Sequence, residues 1–235
     1  MGVTKDPVET ARSVLAKLAE LRPHEIDLAG VARRYKPVGN THMLREALIW
    51  RQEELSRGAL EAIERNDGVT GALITRAAME TTAALIYLHG LVKGAIEGGM
   101  SDDLAEKLAG FLVGSKIWEE NPGPVHVLKM IDAVDKLIPG YRKNYEFLCE
   151  FAHPNWFGTL GAYGIINQEQ LRVTFLKNGK VQDSSLRVAA PMLAGSLDLF
   201  IGYYEFVGDK LKAFAAACEA YYAKKDILPD AESMP

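Results

Sequence analysis

Cysteine is scarce in this 235-residue sequence: only Cys149 and Cys218 are present, in separate apolar runs, with no Cys-x-x-Cys pair. That excludes a disulfide scaffold and a thiolate zinc site, and it makes both thiols small hydrophobes of the interior. Cationic excess is also missing. Lys and Arg number 27 against 31 Asp and Glu, for a net charge of −4. Wrapping long duplex nucleic acid needs clustered phosphate-neutralising charge, so that class is excluded, although a small RNA site is compatible. No apolar core of a signal peptide follows Met1, and Asp6 stands where a myristoylation motif needs Ser or Thr, so the expected location is cytoplasmic.

Several catalytic signatures are lacking as well. There is no Gly-x-Ser-x-Gly elbow and no His-Glu-x-x-His. The series Gly158, Gly161, Gly164 leads into a strand pattern rather than a Gly-Lys-Ser/Thr and helix, so these glycines serve turns and close packing, not phosphates. Glu150-x-x-His153 has the spacing of a bundle metal site, but a di-iron centre needs a second copy and the sequence contains none. The expectation is no metal and no cofactor. The one run long enough for a membrane, Val188 to Val207, carries Asp198 at its middle and is interrupted by Pro191, Gly195 and Gly202. A central bundle helix accounts for it, and no membrane partner is expected.

What is present is helical periodicity. Val8, Ala11, Val14, Leu15, Leu18 and Leu21 recur at three- and four-residue steps behind an Asp6 cap and Pro7. A short helix and a loop follow over His24 to Asn40, with Tyr35 to Asn40 as a break. Long helices are then predicted from Asn40 or Thr41 to about Asn66 and from Thr70 to Glu97, an antiparallel pair joined by a tight Asn66-Asp67-Gly68 turn. Further helices are expected from Ser101 to Trp118, Val125 to Leu137 and Tyr141 to Ala152. From there the period changes. Leu171, Val173 and Phe175 alternate with Arg172 and Thr174, a strand that Asn167-Gln168-Glu169 turns back onto Ala162 to Ile166. Ser184 or Ser185 caps a last apolar helix to Lys225, bent near Gly202 or Gly208. The fold class is therefore mainly α: an irregular helical bundle with one β-hairpin, at about 160–180, between the last two core helices. The expected organisation is one helical domain over residues 1–225 and an acidic flexible tail over 226–235.

The densest polar constellation runs from Tyr145 to Asn155. Helical spacing places Tyr145, Cys149 and Ala152 or His153 on one face, with Glu146, Glu150 and His153 able to approach one another. Pro154 disfavours helical geometry at His153 and puts the imidazole at a helix C-terminus, where an acid or base near neutral pH is useful. The alternative is structural: His153 and Asn155 cap the last carbonyls and orient the turn into the hairpin. On the second long helix Arg76 and Glu80 stand four apart among alanines, partly inward. A buried charge there needs a partner, for which Tyr145 and His153 are the candidates. His89, further along the same helix, reads as a core histidine. Val31 to Lys36 is a short basic cluster that reads as a solvated face.

The pair Arg76-Ala77-Ala78-Met79-Glu80 and Tyr145 to Asn155 resembles uncharacterised bacterial helical proteins of HEPN-like arrangement, over about residues 43 to 160. The resemblance implies a helical bundle, often a homodimer, tied to RNA or bacterial defence; many HEPN proteins are metal-independent RNases. Their catalytic pattern is an Arg followed, after four to six residues, by a His on the same helix. Here ten residues separate Arg142 from His153, and seven separate Arg34 from His42. The motif is therefore absent, and a composite catalytic site of His153, Arg76, Glu80 and Tyr145, with Asn155 and Glu150 as binding residues, is this sequence's own arrangement. The second expectation, from another class, is a non-enzymatic binding or oligomerisation module in which the same His, Glu and Arg residues are structural. The partner would be RNA or another protein.

Overall fold

The computed structural model describes residues 6–28, 35–115, 117, 124–177 and 180–225. Helix α1 spans Pro7–Leu21, where the Asp6 carboxylate accepts from the Val8 N–H at 3.1 Å and Ala11, Val14 and Leu18 form the buried stripe. Helix α2 spans Lys36–Glu64. It begins before the predicted Asn40 or Thr41 cap, because Pro37 lies in its first turn, where a missing N–H costs nothing and a fixed φ suits the helix. The segment expected to break the chain instead starts it. Asn66, at φ 58°, turns the chain into α3, Gly68–Gly98. Only residues 65–67 separate two helices that pack extensively on each other, so they run antiparallel, as the sequence indicated.

Gly99, at φ 86°, ends α3. Helix α4, Asp102–Val113, is opened by the Ser101 hydroxyl, which accepts from the Leu104 N–H. It stops short of the predicted Trp118 because Gly114 is extended; Trp118 itself lies outside the described residues. Helix α5 is Val127–Leu137 and α6 is Tyr141–Cys149, followed by a single 3₁₀ turn over Glu150–Ala152. The short α7, Leu160–Tyr163, leads into β1, Gly164–Asn167, and β2, Arg172–Phe175. These strands pair antiparallel with Ile165 opposite Thr174 and Ile166 opposite Val173. The Asn167 side chain accepts from the Gln170 N–H to close the turn. The fold is thus mainly α with one small hairpin.

Helix α8, Lys180–Lys224, is a 45-residue rod, about 68 Å long at 1.5 Å per residue. It starts ahead of the predicted Ser184 or Ser185 cap. Ser185 is buried and donates to the Gln182 carbonyl at 2.7 Å, so its hydroxyl serves the helix interior rather than its end. Gln182 does the knitting at this corner: its amide donates to the Ala162 carbonyl and its oxygen accepts from the Gly68 N–H. One buried side chain thus ties the approach to the hairpin, the start of α3 and α8 together. Along α8, Leu193, Leu197, Phe200, Tyr204, Val207, Phe214 and Cys218 are buried, and Asp198 faces out. α8 packs most heavily on α3 and also on α1 and α2. The helix is apolar and long enough to cross a membrane by length and composition, with 44% of its most apolar window buried in the bundle. The basic cluster at 31–34 and the tail 226–235 lie outside the described residues.

Candidate functional site

Helices α3 and α6 bring three of the four predicted catalytic residues together. The Tyr145 hydroxyl donates to Glu80 Oε1 at 2.7 Å. It accepts from Arg76 Nε at 3.4 Å and Nη2 at 3.3 Å, and Arg76 Nη2 pairs with the same Glu80 oxygen at 3.0 Å. Arg76 and Glu80 sit one helical turn apart, so one phenol from the facing helix reaches both. Burial first, and then the hydrogen bond to Glu80, push the Tyr145 phenol well above its usual range. Burial works against the Arg76 charge, but the Tyr145 bond and the Glu80 charge outweigh it and leave the guanidinium raised. At neutral pH Arg76 therefore keeps its charge and the Tyr145 phenol keeps its proton while bridging Arg76 and Glu80. Tyr145 is a donor there, not a base.

One turn earlier on α6, Tyr141 is buried and donates to the Met79 carbonyl at 2.9 Å, with the Ser196 hydroxyl of α8 at 3.4 Å. Thr82 of α3 donates to the Ser196 carbonyl. The seam of α3, α6 and α8 is thus polar at its centre and satisfied.

His153 is not part of it. Pro154 forces the extended geometry expected before a proline, with φ −101° and ψ 144° at His153, and this swings the imidazole off the helical face into solvent. Among the described residues no hydrogen bond, ion pair or ring contact joins His153 to Arg76, Glu80, Tyr145 or Glu150. The four-residue composite site is corrected to three. Glu150 and Asn155 do meet, but in each other's service: Asn155 Nδ2 donates to Glu150 Oε2 at 2.8 Å, and Asn155 Oδ1 accepts from the Gly158 N–H at 3.2 Å. Asn155 orients the turn, as the structural alternative proposed, by binding a carboxylate and an N–H rather than helix-end carbonyls. A Cβ on Gly158 would lie 2.1 Å from the His153 carbonyl, so the close packing expected of this glycine is real.

Other assignments divide. Cys218 is buried, and desolvation pushes its thiol up to about 12, whereas Cys149 is only half-buried. His89, read as a core histidine, is only half-buried and sits edge-on to Tyr203 with ring centroids 5.1 Å apart. Among the described residues no group of three His, Cys, Asp or Glu side chains is gathered to hold a metal.

Two ionic arrangements on α2 escaped sequence reasoning. Glu46, 7% exposed, is paired with Arg45 and accepts from the Tyr204 hydroxyl of α8, while Arg45 Nε donates to the Tyr204 carbonyl and its guanidinium lies 3.4 Å over the Tyr204 ring. Glu53, 8% exposed, receives Arg22 Nη1 at 2.9 Å and Arg57 Nε at 3.3 Å, with Arg22 stacked 3.8 Å from the Trp50 ring. The only available signal was Glu46 and Glu53 standing on the apolar stripe of α2; Arg45 and Arg57 are near in sequence, but Tyr204 and Arg22, which bind them from other parts of the chain, are not. Beside them His42 is half-buried, and desolvation lowers its pKa against the opposing pull of Glu46. The chain matches no family model, no curated protein and no solved structure.

Proposed function

We propose that this protein is a non-enzymatic oligomerisation module in which two copies meet through the β-hairpin, and in which the Arg76–Glu80–Tyr145 network is structural. One observation carries the reading. The hairpin projects from the bundle with Ile166, Val173 and Phe175 on one face, and these are 47%, 44% and 70% exposed, with Leu171 at the turn 92% exposed. An isolated two-stranded hairpin is marginal in water, and exposed strand edges invite pairing. Those four side chains offer roughly 500 Å² of apolar surface before any polar rim, against ~800 Å² per partner in a standard interface. A second copy fits because the tip is self-complementary. Glu169 and Arg172 are exposed, oppositely charged and, among the described residues, without ionic partners, so a two-fold axis sets each against its counterpart.

The closed state of the polar network supports the same reading. Every charge in it is used, and the phenol that would have to act is held protonated. Light scattering across a concentration series tests the proposal. Wild type is a dimer and the Phe175→Ser, Val173→Ser double variant a monomer of unchanged helicity; a wild type that stays monomeric overturns it.

A second reading rests on the convergence itself. The two segments that carry the HEPN-like resemblance do touch, through Tyr145, and Arg76 keeps 31% of its side chain in solvent. On that reading the bundle is an RNA- or bacterial-defence-related protein with an anion-facing site at Arg76. Cleavage of RNA by wild type, lost in Arg76→Ala, supports it. Intact RNA across diverse substrates removes it.

A further inference from the structure

The second ionic arrangement on α2 borders an open cleft of about 340 Å³, lined by Arg22, Trp50, Arg51, Glu53, Glu54 and Arg57. Three guanidinium groups in one cleft repel one another, and their neutralisation is unequal. Glu53 serves Arg22 and Arg57 together, Glu61 also reaches Arg57, and Glu54 adds a second carboxylate to the lining, so three guanidinium groups face two carboxylates. Arg51 has no carboxylate within ion-pair distance among the described residues. Its Nε donates to the Thr81 hydroxyl at 3.2 Å, and that hydroxyl is itself fixed by donating to the Ala77 carbonyl at 3.0 Å. The guanidinium is therefore anchored at Nε while its two Nη groups, the pair that grips an oxyanion in a bidentate fork, have no acceptor among the described residues. Arg22 is similarly held, between Glu53 and the Trp50 ring, and its Nε is buried without a partner.

Trp50 is the apolar part of the cleft, and Arg22 covers one face of its ring. Its indole N–H donates to the Pro23 carbonyl at 2.8 Å, His24 packs edge-on to it, and 41% of the residue remains exposed. Hydrogen-bonded and flanked, the indole is a rigid surface rather than a loose side chain. It also borders a smaller cleft of about 150 Å³ on its other side, lined in part by His24, Glu25 and Glu46.

We infer that this cleft binds a small phosphate monoester bearing a planar ring, of mononucleotide size, with the phosphate on the Arg51 fork and the ring against the part of Trp50 that Arg22 leaves exposed. Its volume is at the low end of ligand-holding clefts and exceeds what a bare oxyanion fills. Arginine matched to phosphate and an indole matched to a flat ring are the pairings this cleft supplies. The site lies on α1 and α2, away from the hairpin, so it stands or falls independently of dimerisation.

Calorimetric titration of the full chain with adenosine monophosphate, adenosine and inorganic phosphate tests the inference. The monophosphate is expected to bind, adenosine at least about tenfold more weakly, and inorganic phosphate to compete with the monophosphate; Arg51→Gln should weaken the monophosphate about tenfold or more. Trp50→Leu, which keeps the wall apolar but removes the flat ring, should weaken the monophosphate and leave phosphate competition in place. Circular dichroism on each variant confirms that the helices persist. No detectable binding at millimolar monophosphate, adenosine binding as tightly as its phosphate, or an Arg51→Gln variant of unchanged affinity overturns the assignment.

Discussion

The Tyr145 hydroxyl lies 2.7 Å from Glu80 Oε1, and this one phenol is the bridge by which α6 reaches both ends of the Arg76–Glu80 pair on α3. Replacing Tyr145 with Phe keeps the ring and removes the bridge. Because Arg76 and Glu80 still pair with each other, the expected loss is about 1–2 kcal/mol of unfolding free energy, read from urea denaturation. Arg76→Met, which leaves Glu80 half-buried with the phenol alone, should cost more than Tyr145→Phe. The reverse order would show that the phenol does not depend on the ion pair.

His153 carries no such load. It is exposed and makes no polar contact with the network, so His153→Ala should change stability by no more than about 0.5 kcal/mol in the same assay. A larger loss would mean that the imidazole has a structural partner.

Gly158 is the position where a single methyl matters most. Its Cβ would meet the His153 carbonyl at 2.1 Å and the Phe151 carbonyl at 3.2 Å, both backbone atoms that cannot rotate away. Gly158→Ala should destabilise by about 1–3 kcal/mol and accelerate hydrogen exchange at Gly161 and Ala162. Protection there equal to wild type would contradict this.

Acid should weaken the fold through two half-buried histidines. Burial lowers His42, with Glu46 opposing and Arg45 adding to the shift; burial also lowers His89, with Lys93 and Lys210 adding and Glu97 opposing. The unfolded chain then takes up protons first, near the ordinary value of 6.5, so this stability is full above that pH and is lost as pH falls through the lowered folded-state values. Chemical denaturation between pH 7 and about pH 5 should show the decline, and the double variant His42→Gln, His89→Gln should flatten it. An unchanged slope in the variant would assign the effect elsewhere.

At the alkaline end the sign reverses. Burial raises Tyr141, Tyr145 and Tyr204, so their contribution is present below the ordinary phenol value and is lost as pH climbs through the raised values. Ultraviolet titration should show these phenols ionising together with unfolding, above the ordinary phenol range. Three phenols titrating in the ordinary range with the helices intact would contradict this.

Much of this architecture is legible along the chain because local periodicity is a local signal. The Asp6 cap, the turn at Asn66 and the existence of a hairpin that turns back after Asn167 all follow from neighbours a few residues apart, although Leu171, expected in the strand, lies in the turn. Pro37 was misread because proline both breaks and starts helices, and which it does depends on what packs behind it. Ser185 was misread for the same reason, its hydroxyl having a carbonyl three residues back within reach. Within the site, Arg76 and Glu80 were readable as an i, i+4 pair, and Tyr145 as a residue on a facing helix. His153 failed on a backbone angle: the proline that flags the motif also turns its imidazole away. The Arg45–Glu46–Tyr204 arrangement was illegible, since Tyr204 arrives from 158 residues downstream and no spacing rule links them.

The long rod of α8 sets a timetable for the molecule. Every other described element precedes it in the chain, yet α1, α2 and α3 all lay apolar side chains against it. While a ribosome is still adding the hairpin, α1, α2 and α3 have been made but lack the helix on which all three pack. Assembly must therefore wait for the final helix to clear the exit tunnel. Until then the nascent chain is the form most in need of a chaperone's cover.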